Sequence, residues 1–144
     1  MLLPHPDNHP ACRCPLTLRA YPGHMNNVEY YALFDTVVNH FLIEQAHMPV
    51  GREASIVGFC VNSSCDYLRP VAYPSLLSAG MSVSALGNSS VRYTCSVFDG
   101  EEAAAVGTFT HVFVDIETQK PVPIPEYLRT ALATVEVPAS NFNT

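Results

Sequence analysis

A long apolar segment with a helical repeat limits what this chain can fold into. Between Val28 and Ala46, apolar side chains recur at steps of three and four residues, which marks one broad helix face: Tyr30, Tyr31, Phe34, Val37, Val38, Phe41 and Leu42. Pro49 and Gly51 follow, and they end the predicted helix. A helix this apolar needs most of its surface covered, so other elements must pack around it.

The sequence around this helix has the two-residue alternation of β-strands. A first short strand is predicted over 13–20, where Pro15 fits only an edge strand or a strand start. Four further segments alternate in the same way and are separated by turn residues: 55–68, 77–85, 91–97 and 108–116. Residues 126–135 predict a short closing helix. This order predicts an α+β domain in which the long helix lies across one face of an antiparallel sheet.

Length and composition indicate a single folded domain. The chain has 144 residues, of which 48% are apolar and 14% charged, which excludes a disordered protein and a coiled coil. We expect the domain to span 12–136. The Pro- and His-containing segment 1–11 is predicted to be a disordered tail, and 137–144 a second tail. The first segment also lacks the charged start and apolar centre of a signal peptide.

The charge balance and the apolar runs exclude two classes of partner. The chain has seven Lys and Arg and thirteen Asp and Glu, which gives a net charge of −6. The basic residues form no stripe that could neutralise nucleic-acid phosphates. No apolar run approaches the roughly 18 residues that span a bilayer. We therefore expect neither a nucleic-acid nor a membrane partner, and a cytoplasmic location.

The cysteines give a weak metal signal. Cys12-x-Cys14 and Cys60-x4-Cys65 could be zinc ligands, but five cysteines without C-x-x-C spacing fit free thiols in a reducing compartment better. We expect no metal and no redox cofactor.

One short segment carries side chains suited to chemistry. Gly23, His24, Asn26 and Asn27 come directly before the long helix. Glycine lets the backbone pass close to a ligand, and the free amides of a helix start hold a partial positive charge that stabilises an oxyanion. This arrangement suits acyl transfer. Asparagines also cap helices without any catalytic role, and His24 could be an ordinary turn residue, so these residues alone leave both interpretations open.

A series of motifs resembles the hotdog-fold acyl-CoA thioesterases of the 4-hydroxybenzoyl-CoA thioesterase-like group. Residues 23–36, Gly-His-Met-Asn-Asn-Val-Glu-Tyr-Tyr-Ala-Leu-Phe-Asp-Thr, resemble the G-H-V-N-N-x-x-Y-Y-x-x-F-D-T signature, and the similarity continues through 66–70, 86–91 and 111–115. It covers about 15–135 in the family's element order. The resemblance implies a curved antiparallel sheet wrapped around one long central helix, and dimers that pair through the sheet and often form tetramers.

The resemblance also implies a mechanism and a set of site residues. The thioester of an acyl-CoA would lie between subunits, with its carbonyl held by the amides of about Asn27 and Val28. His24 and Asn26 complete the expected catalytic group. The residues expected to bind substrate are Gly23, Tyr30, Arg69, Ser89, Ser90 and Arg92. The serines and arginines of this set are candidates for the CoA phosphates, because cations are scarce here; a plain hairpin turn and solvated arginines are the alternative.

The sequence departs from the family at Ala20. Many relatives have an aspartate three residues before the motif glycine, acting as general base or nucleophile, and the spacing between Arg19 and Gly23 is also several residues shorter than usual. A carboxylate that activates water contributes about 10²–10⁴-fold. The function expected is acyl-CoA hydrolysis to a free acid and CoA; the departure leaves open an acyl-CoA-binding protein with weak or no activity.

Three explanations of the missing carboxylate remain open at this stage. His24 could act as base, since its ordinary pKa is near 6.5, with Asn26 orienting the water; plant acyl-carrier-protein thioesterases of similar fold have a comparable His and Asn. Glu29 or Asp66 could instead enter the site, or the site could bind acyl-CoA and hydrolyse it poorly. A hotdog hydratase or dehydratase is disfavoured, because its acid and histidine pair is not found.

Overall fold

The computed structural model describes residues 12–17, 27–71 and 76–137. Its main elements, in chain order, are strand β1 (Cys12–Thr17), helix α1 (Asn27–His40), strands β2 (Ile56–Tyr67), β3 (Leu76–Leu86), β4 (Ser90–Asp99) and β5 (Glu102–Asp115), and helix α2 (Glu126–Ala133). This is an α+β architecture, as the residue patterns predict. Each of the predicted strands and the closing helix forms.

The five strands make one antiparallel sheet in the order β1-β3-β4-β5-β2. Strands β3, β4 and β5 follow one another as hairpins, whereas β2 pairs with β5 and so forms an edge of the sheet. Register shifts occur between Cys60 and Asn62 in β2 and between Val83 and Ala85 in β3. Among the described strands, β2 therefore has one edge free for further pairing.

One face of the sheet is the core, and α1 packs on it. The apolar helix stripe is buried against β3, β4 and β5, with Phe34, Val37 and Val38 fully excluded from solvent. Gly107 in β5 permits this close approach: a Cβ there would lie 2.8 Å from the Phe34 ring and 2.3 Å from the Ser64 carbonyl oxygen. The prediction that other elements pack around the apolar helix is confirmed, because the sheet covers its apolar face.

The helix is shorter than the sequence predicts. Its α-helical part ends at His40 after 14 residues, and a π-helical turn, Phe41–Gln45, continues it, with the Ala46 amide donating to the Phe41 carbonyl at 3.0 Å. His47 then adopts a left-handed conformation (φ 59°) before Pro49. The expected single long helix to Ala46 is thus replaced by an α-helix and a π-turn, which keeps Phe41 and Leu42 in the core.

Helix α2 closes the end of the core that lies beside the β3–β4 turn. Leu128 and Leu132 are completely buried in the main hydrophobic cluster. The chain after α2 then bonds to β3 just beyond the residues of β3 that pair with β1. The Val83 amide donates to the Val135 carbonyl at 2.9 Å, and the Val137 amide donates to the Val83 carbonyl at 2.8 Å. These bonds fix α2 against the sheet.

The strand β2 has apolar side chains on the sheet face away from α1. Val57, Phe59 and Val61 are 44%, 60% and 53% exposed, although their alternation resembles that of core residues. Val57 and Phe59, together with Val114 and Ile116, border a surface depression of about 370 Å³. The expected tails, 1–11 and 137–144, lie outside the described residues except for Val137, which is buried. No helix in the described part of the chain is long and apolar enough to span a membrane.

Candidate active site

The first turn of α1 lies against an aromatic cluster from the sheet. Tyr30 is 3% exposed and meets the Tyr67 ring edge-on, with the ring centroids 5.1 Å apart. Tyr31 stacks on Phe109 at 6.2 Å. The helix start therefore lies near the end of β2 and the middle of β5. Its 14 residues of aligned peptide dipoles place partial positive charge at this point.

A thiol lies beside this cluster. Cys65 in β2 is half-buried and faces α1, and a hydrogen bond joins its side chain to that of Tyr67. Burial raises the pKa of the Cys65 thiol, the Tyr67 bond opposes this shift, and the charge of Asp66 adds to it. Burial and the nearby Cys65 also raise the pKa of Tyr30. These groups are thus neutral near pH 7, and they present hydroxyl and thiol groups rather than charges.

The structure describes only part of the predicted catalytic segment. Asn27 and Val28 are the first two residues of α1, as expected for amides that open the helix. Gly23, His24 and Asn26 lie outside the described residues, as does Ala20. The position of the backbone amides is therefore described, and the roles of His24 and Asn26 stay predictions.

The two alternative carboxylates have different positions. Glu29 is in the first turn of α1. Asp66 pairs with Val106, whereas its neighbours Cys65 and Tyr67 pair with Gly107 and Ala105 on the face that carries α1. Because successive side chains in a strand point to opposite faces, the Asp66 carboxylate is on the face away from α1. Asp66 is therefore badly placed to act at the helix start.

The two arginines predicted to contact phosphate are in different surroundings. Arg69 forms ion pairs with Asp99, at 3.5 Å, and with Glu102. Two carboxylates thus neutralise its charge before any ligand arrives. Arg92 is exposed in β4, opposite Ala85 and Thr110 on the face away from α1.

Ser89 and Ser90 belong to a tight turn between β3 and β4. The Gly87 amide donates to the Ser90 carbonyl at 2.8 Å, which closes the turn, and the Phe113 amide donates to the Ser89 carbonyl at 2.8 Å. Arg129 in α2 donates to the carbonyls of Gly87, at 2.7 Å, and Asn88, at 3.2 Å. Nothing in the sequence predicts that Arg129 lies beside this turn, because no local pattern places α2 there.

His111 is buried among aromatic rings on the core face of β5. It is 3% exposed and meets the Tyr93 ring edge-on at 5.1 Å, with Phe113 on its other side. Neither its Nδ1 nor the Tyr93 hydroxyl has a hydrogen-bond partner among the described residues. Burial lowers the pKa of His111, and the charge of Asp35 partly opposes the shift. The described side chains bring no three His, Cys, Asp or Glu residues together as a metal site, and Cys60, Cys65 and Cys95 are free thiols.

Comparisons with known proteins identify the family. The model of the thioesterase-like superfamily matches residues 16–132. No curated protein matches the sequence. Among solved structures, the PA5185 protein of Pseudomonas aeruginosa is 39% identical, with 94% of this chain and 97% of that chain covered and a TM-score of 0.85.

Two further structures carry functional names. A thioesterase from Thermus thermophilus, solved with coenzyme A and Zn, is 27% identical, with 86% of this chain and 98% of that chain covered and a TM-score of 0.70. A 1,4-dihydroxy-2-naphthoyl-CoA thioesterase from Synechocystis shares the fold at 14% identity, with 85% and 96% covered and a TM-score of 0.71. The helix that starts at the predicted motif and the antiparallel sheet beneath it agree with these matches. The chain belongs to the thioesterase-like superfamily, the hotdog thioesterases that its motifs resemble.

Proposed function

We propose that this protein hydrolyses an acyl-CoA thioester to a carboxylic acid and free CoA. Family membership supports thioester hydrolysis in general. The observation that carries the more specific proposal is the start of α1 at Asn27 and Val28, directly after the Gly-His-Met-Asn motif. Two solved proteins of this fold hold coenzyme A, which supports a CoA thioester as the substrate.

The amides of Asn27 and Val28 hold the carbonyl oxygen of the thioester in this proposal. The first amides of a helix have no partner within the helix. Attack on the carbonyl carbon moves negative charge onto the oxygen, and the helix start stabilises that charge more than the neutral carbonyl. The charge grows as the reaction proceeds, so this interaction favours the transition state over the bound substrate.

His24 takes the proton of the attacking water, and Asn26 orients that water. The oxygen of the water bonds to the carbonyl carbon, the tetrahedral intermediate collapses, and the CoA sulfur leaves and takes a proton. Asp66 is on the wrong face of the sheet for this role, and Ala20 has no carboxylate. Glu29 in the first helical turn is the other candidate base.

Removing one amide tests the oxyanion proposal. Val28→Pro deletes the Val28 N–H, and proline is tolerated in the first turn of a helix. We expect kcat for an acyl-CoA to fall by about 10²–10³-fold, because one such donor contributes about 2.7–4 kcal/mol. Val28→Ala keeps the N–H and is the matched control. Equal kcat values for the two variants would contradict the role of this amide.

Two further variants test the base. His24→Ala is expected to lower kcat by about 10²–10⁴-fold, and an unaffected rate would show that His24 is not the base. Ala20→Asp restores the carboxylate position of many relatives. A large gain in the rate of this variant would show that the native site is complete except for that carboxylate.

The second candidate function is acyl-CoA binding without hydrolysis, which Ala20 favours. Thiol release from acyl-CoAs of several chain lengths distinguishes the two functions. Release above the buffer rate supports the enzyme. Tight binding of the same acyl-CoAs without release supports the binding protein.

The proposed active unit is a homodimer or a higher homo-oligomer. The free edge of β2 is twelve residues long and has one charged residue, Asp66, so it lacks the charges and prolines that usually protect an edge strand. Val57, Phe59 and Val61 beside it are exposed. The Leu68 amide bonds to Ala104 of β5, so by alternation the Ser63 amide faces the free edge. Ser63→Pro removes this edge donor, and we expect it to dissociate the oligomer in sedimentation velocity. A monomeric native protein would contradict the proposal.

A further inference from the structure

Part of the sheet face away from α1 is buried, although both described helices lie on the other face. Five residues of β3, β4 and β5 alternate with core residues and therefore point to this face. They form what we call the covered patch: Ser82, Thr94, Ser96, Phe98 and Val106. Their exposed fractions are 0%, 8%, 1%, 1% and 7%, in that order. Side chains on a sheet face reach such values only when other atoms pack directly on them.

The described residues outside the strands do not supply that cover. Both helices and the π-helical turn bury their side chains in the core cluster, as do Val71 and Ile124 of the connecting segments. On the face away from α1, Asn62 and Ser64 of β2 are exposed, and Thr108 of β5 is half-buried. The cover therefore lies over β3 and β4 and ends over β5. It reaches the sheet from the side of β1 and β3.

The chemistry of the covered patch specifies what can cover it. The hydroxyls of Ser82 and Ser96 are buried and have no hydrogen-bond partner among the described residues. A buried hydroxyl without a partner costs free energy, and a backbone carbonyl lying across the patch would accept from it. Phe98 and Val106 require apolar contacts from the same cover. The patch contains no charged residue, so a segment with free carbonyls and apolar side chains fits it best.

The chain before Cys12 meets the sheet beside this patch. Strand β1 begins at Cys12, which lies opposite Met81 of β3. The next part of the β3 edge is occupied, because the Val83 amide and carbonyl bond to Val135 and Val137. The residues that precede Cys12 therefore cannot continue along β3. The core face at this point is filled by the two helices, so the face that carries the covered patch is the one left to them.

The chain after α2 meets the same edge of β3 but leads away from the patch. Residues 135–137 run parallel to β3, so they point toward the β3–β4 turn. Ala85 and Arg92, which pair with each other near that turn, are both exposed. A cover that started from Val137 would lie over these two residues rather than over Ser82.

The two internal segments outside the described residues start at the opposite end of β3. Segments 18–26 and 72–75 adjoin Thr17 and Leu76, which pair with each other. Ser82 is six residues from Leu76, about 20 Å along the strand. The four residues 72–75 span at most about 14 Å. Segment 18–26 must also lead to α1 on the core face. Among these segments, 1–11 is the one whose attachment point fits the covered patch.

The length and composition of segment 1–11 also fit the patch. Eleven extended residues span up to about 36 Å, whereas the crossing from β1 to β5 takes three strand spacings, about 14 Å. Pro4, Pro6 and Pro10 have no amide N–H and favour an extended backbone, which leaves carbonyls free to accept from the patch hydroxyls. Leu2 and Leu3 supply apolar side chains.

We propose that segment 1–11 crosses the sheet face opposite α1 and docks on the covered patch, with its two leucines against Phe98 and Val106. The docked segment closes this part of the face to a second copy of the chain and leaves the β2 side of the face open. It gives a structural role to a segment that the composition predicts to be a disordered tail. The proposal holds whether or not the protein hydrolyses acyl-CoA.

Thiol protection tests the docking in the full-length chain. Ser82→Cys places a thiol of similar size under the proposed cover, and Arg92→Cys places one on an exposed part of the same face. Alkylation by iodoacetamide, followed for each peptide by mass spectrometry, gives both rates. We expect the Ser82→Cys thiol to react at least about tenfold more slowly than the Arg92→Cys thiol. The native thiol of Cys95, buried in the core, reports any general unfolding.

Charges in the segment should uncover the patch. Leu2→Asp with Leu3→Asp removes the apolar contacts, whereas Asn8→Asp with His9→Asp adds the same number of carboxylates and keeps both leucines. We expect the leucine pair to raise the alkylation rate of the Ser82→Cys thiol at least about tenfold, and the control pair to leave it nearly unchanged.

Two results of these measurements would overturn the proposal. One is protection of the Ser82→Cys thiol that the leucine pair does not change, which would assign the cover to another segment. The other is a Ser82→Cys thiol that reacts as fast as the Arg92→Cys thiol in the otherwise native chain, which would show that the patch is open.

A photocrosslink gives a second readout in case the leucine pair unfolds the protein and exposes Cys95. Benzoylphenylalanine in place of Leu3 should cross-link to peptides of β3, β4 or β5 of the same chain. A mixture of isotopically heavy and light protein distinguishes links within one chain from links between two. Links mainly between heavy and light chains would make a second copy the occupant and overturn the proposal, as would links confined to other parts of the chain.

Discussion

Replacing Gly107 with alanine tests whether α1 is held against the sheet as closely as the structure shows. The added Cβ would lie 2.3 Å from the Ser64 carbonyl oxygen, 2.8 Å from Phe34 Cε2 and 3.3 Å from Cys65 Cα. Ordinary contact begins at 3.4 Å, so the Phe34 ring must withdraw by at least about 0.6 Å. The Ser64 oxygen is backbone, so the β2–β5 ladder must distort as well.

The expected cost follows from these contacts. Overpacking a core costs about 1–3 kcal/mol, and a backbone clash places this variant at the upper end. The gain from replacing glycine in a strand, about 0.5–1 kcal/mol, offsets part of it. We expect a net loss of about 2 kcal/mol in the free energy of unfolding, measured by urea denaturation. Because Phe34 is about two turns from the helix start at Asn27, kcat should fall too, by up to about 10²-fold.

Gly58→Ala is the matched control for this variant. Its Cβ would meet the His111 Nδ1 at 2.8 Å, but every close neighbour of that Cβ is a side-chain atom. We expect a smaller loss, about 1 kcal/mol, because side chains adjust more readily than a strand. A Gly107→Ala protein as stable as the native one would refute the close packing of α1 on β5.

Three further predictions concern stability. Leu128→Ala should lower the free energy of unfolding by about 2–5 kcal/mol in urea denaturation, because Leu128 is fully buried; a loss under about 1 kcal/mol would contradict the packing of α2. Arg69→Gln should change it by less than about 1 kcal/mol, because the pairs with Asp99 and Glu102 are partly exposed, and a larger loss would indicate a desolvated network. Burial lowers the pKa of His111, so the unfolded state binds this proton first as the pH falls. The free energy of unfolding should therefore decline below about pH 6.5, and less steeply in His111→Phe than in the native protein. If it declined equally in both proteins, His111 would not be the cause.

The sequence predicted the elements because their patterns are local. Alternation located the strands, and Pro49 and Gly51 marked the end of the apolar helix closely. The sequence did not predict the π-helical turn at Phe41, because the same pattern of apolar residues fits an α-helix and a π-helical turn. Nor did alternation distinguish the two faces of β2, where the exposed Val57 and Phe59 follow the same pattern as core residues.

The candidate site was predictable only where a single segment carries it. The motif ending at Val28 marks the helix start in the sequence. The contact between Arg129 and the Gly87 turn joins residues 42 positions apart, and no pattern in either segment announces it. No sequence pattern predicts the state of His111, whose Nδ1 is buried without a hydrogen-bond partner among the described residues. Hydrogen bonding depends on orientation, which composition does not encode.

The position of the substrate carbonyl is the most direct test of this account. A crystal structure with an uncleavable acyl-CoA analogue gives the distance from its carbonyl oxygen to the amide nitrogens of Asn27 and Val28. We predict about 2.7–3.1 Å to at least one of them. A carbonyl bound elsewhere, with the start of α1 sealed by packed apolar side chains, would contradict the mechanism.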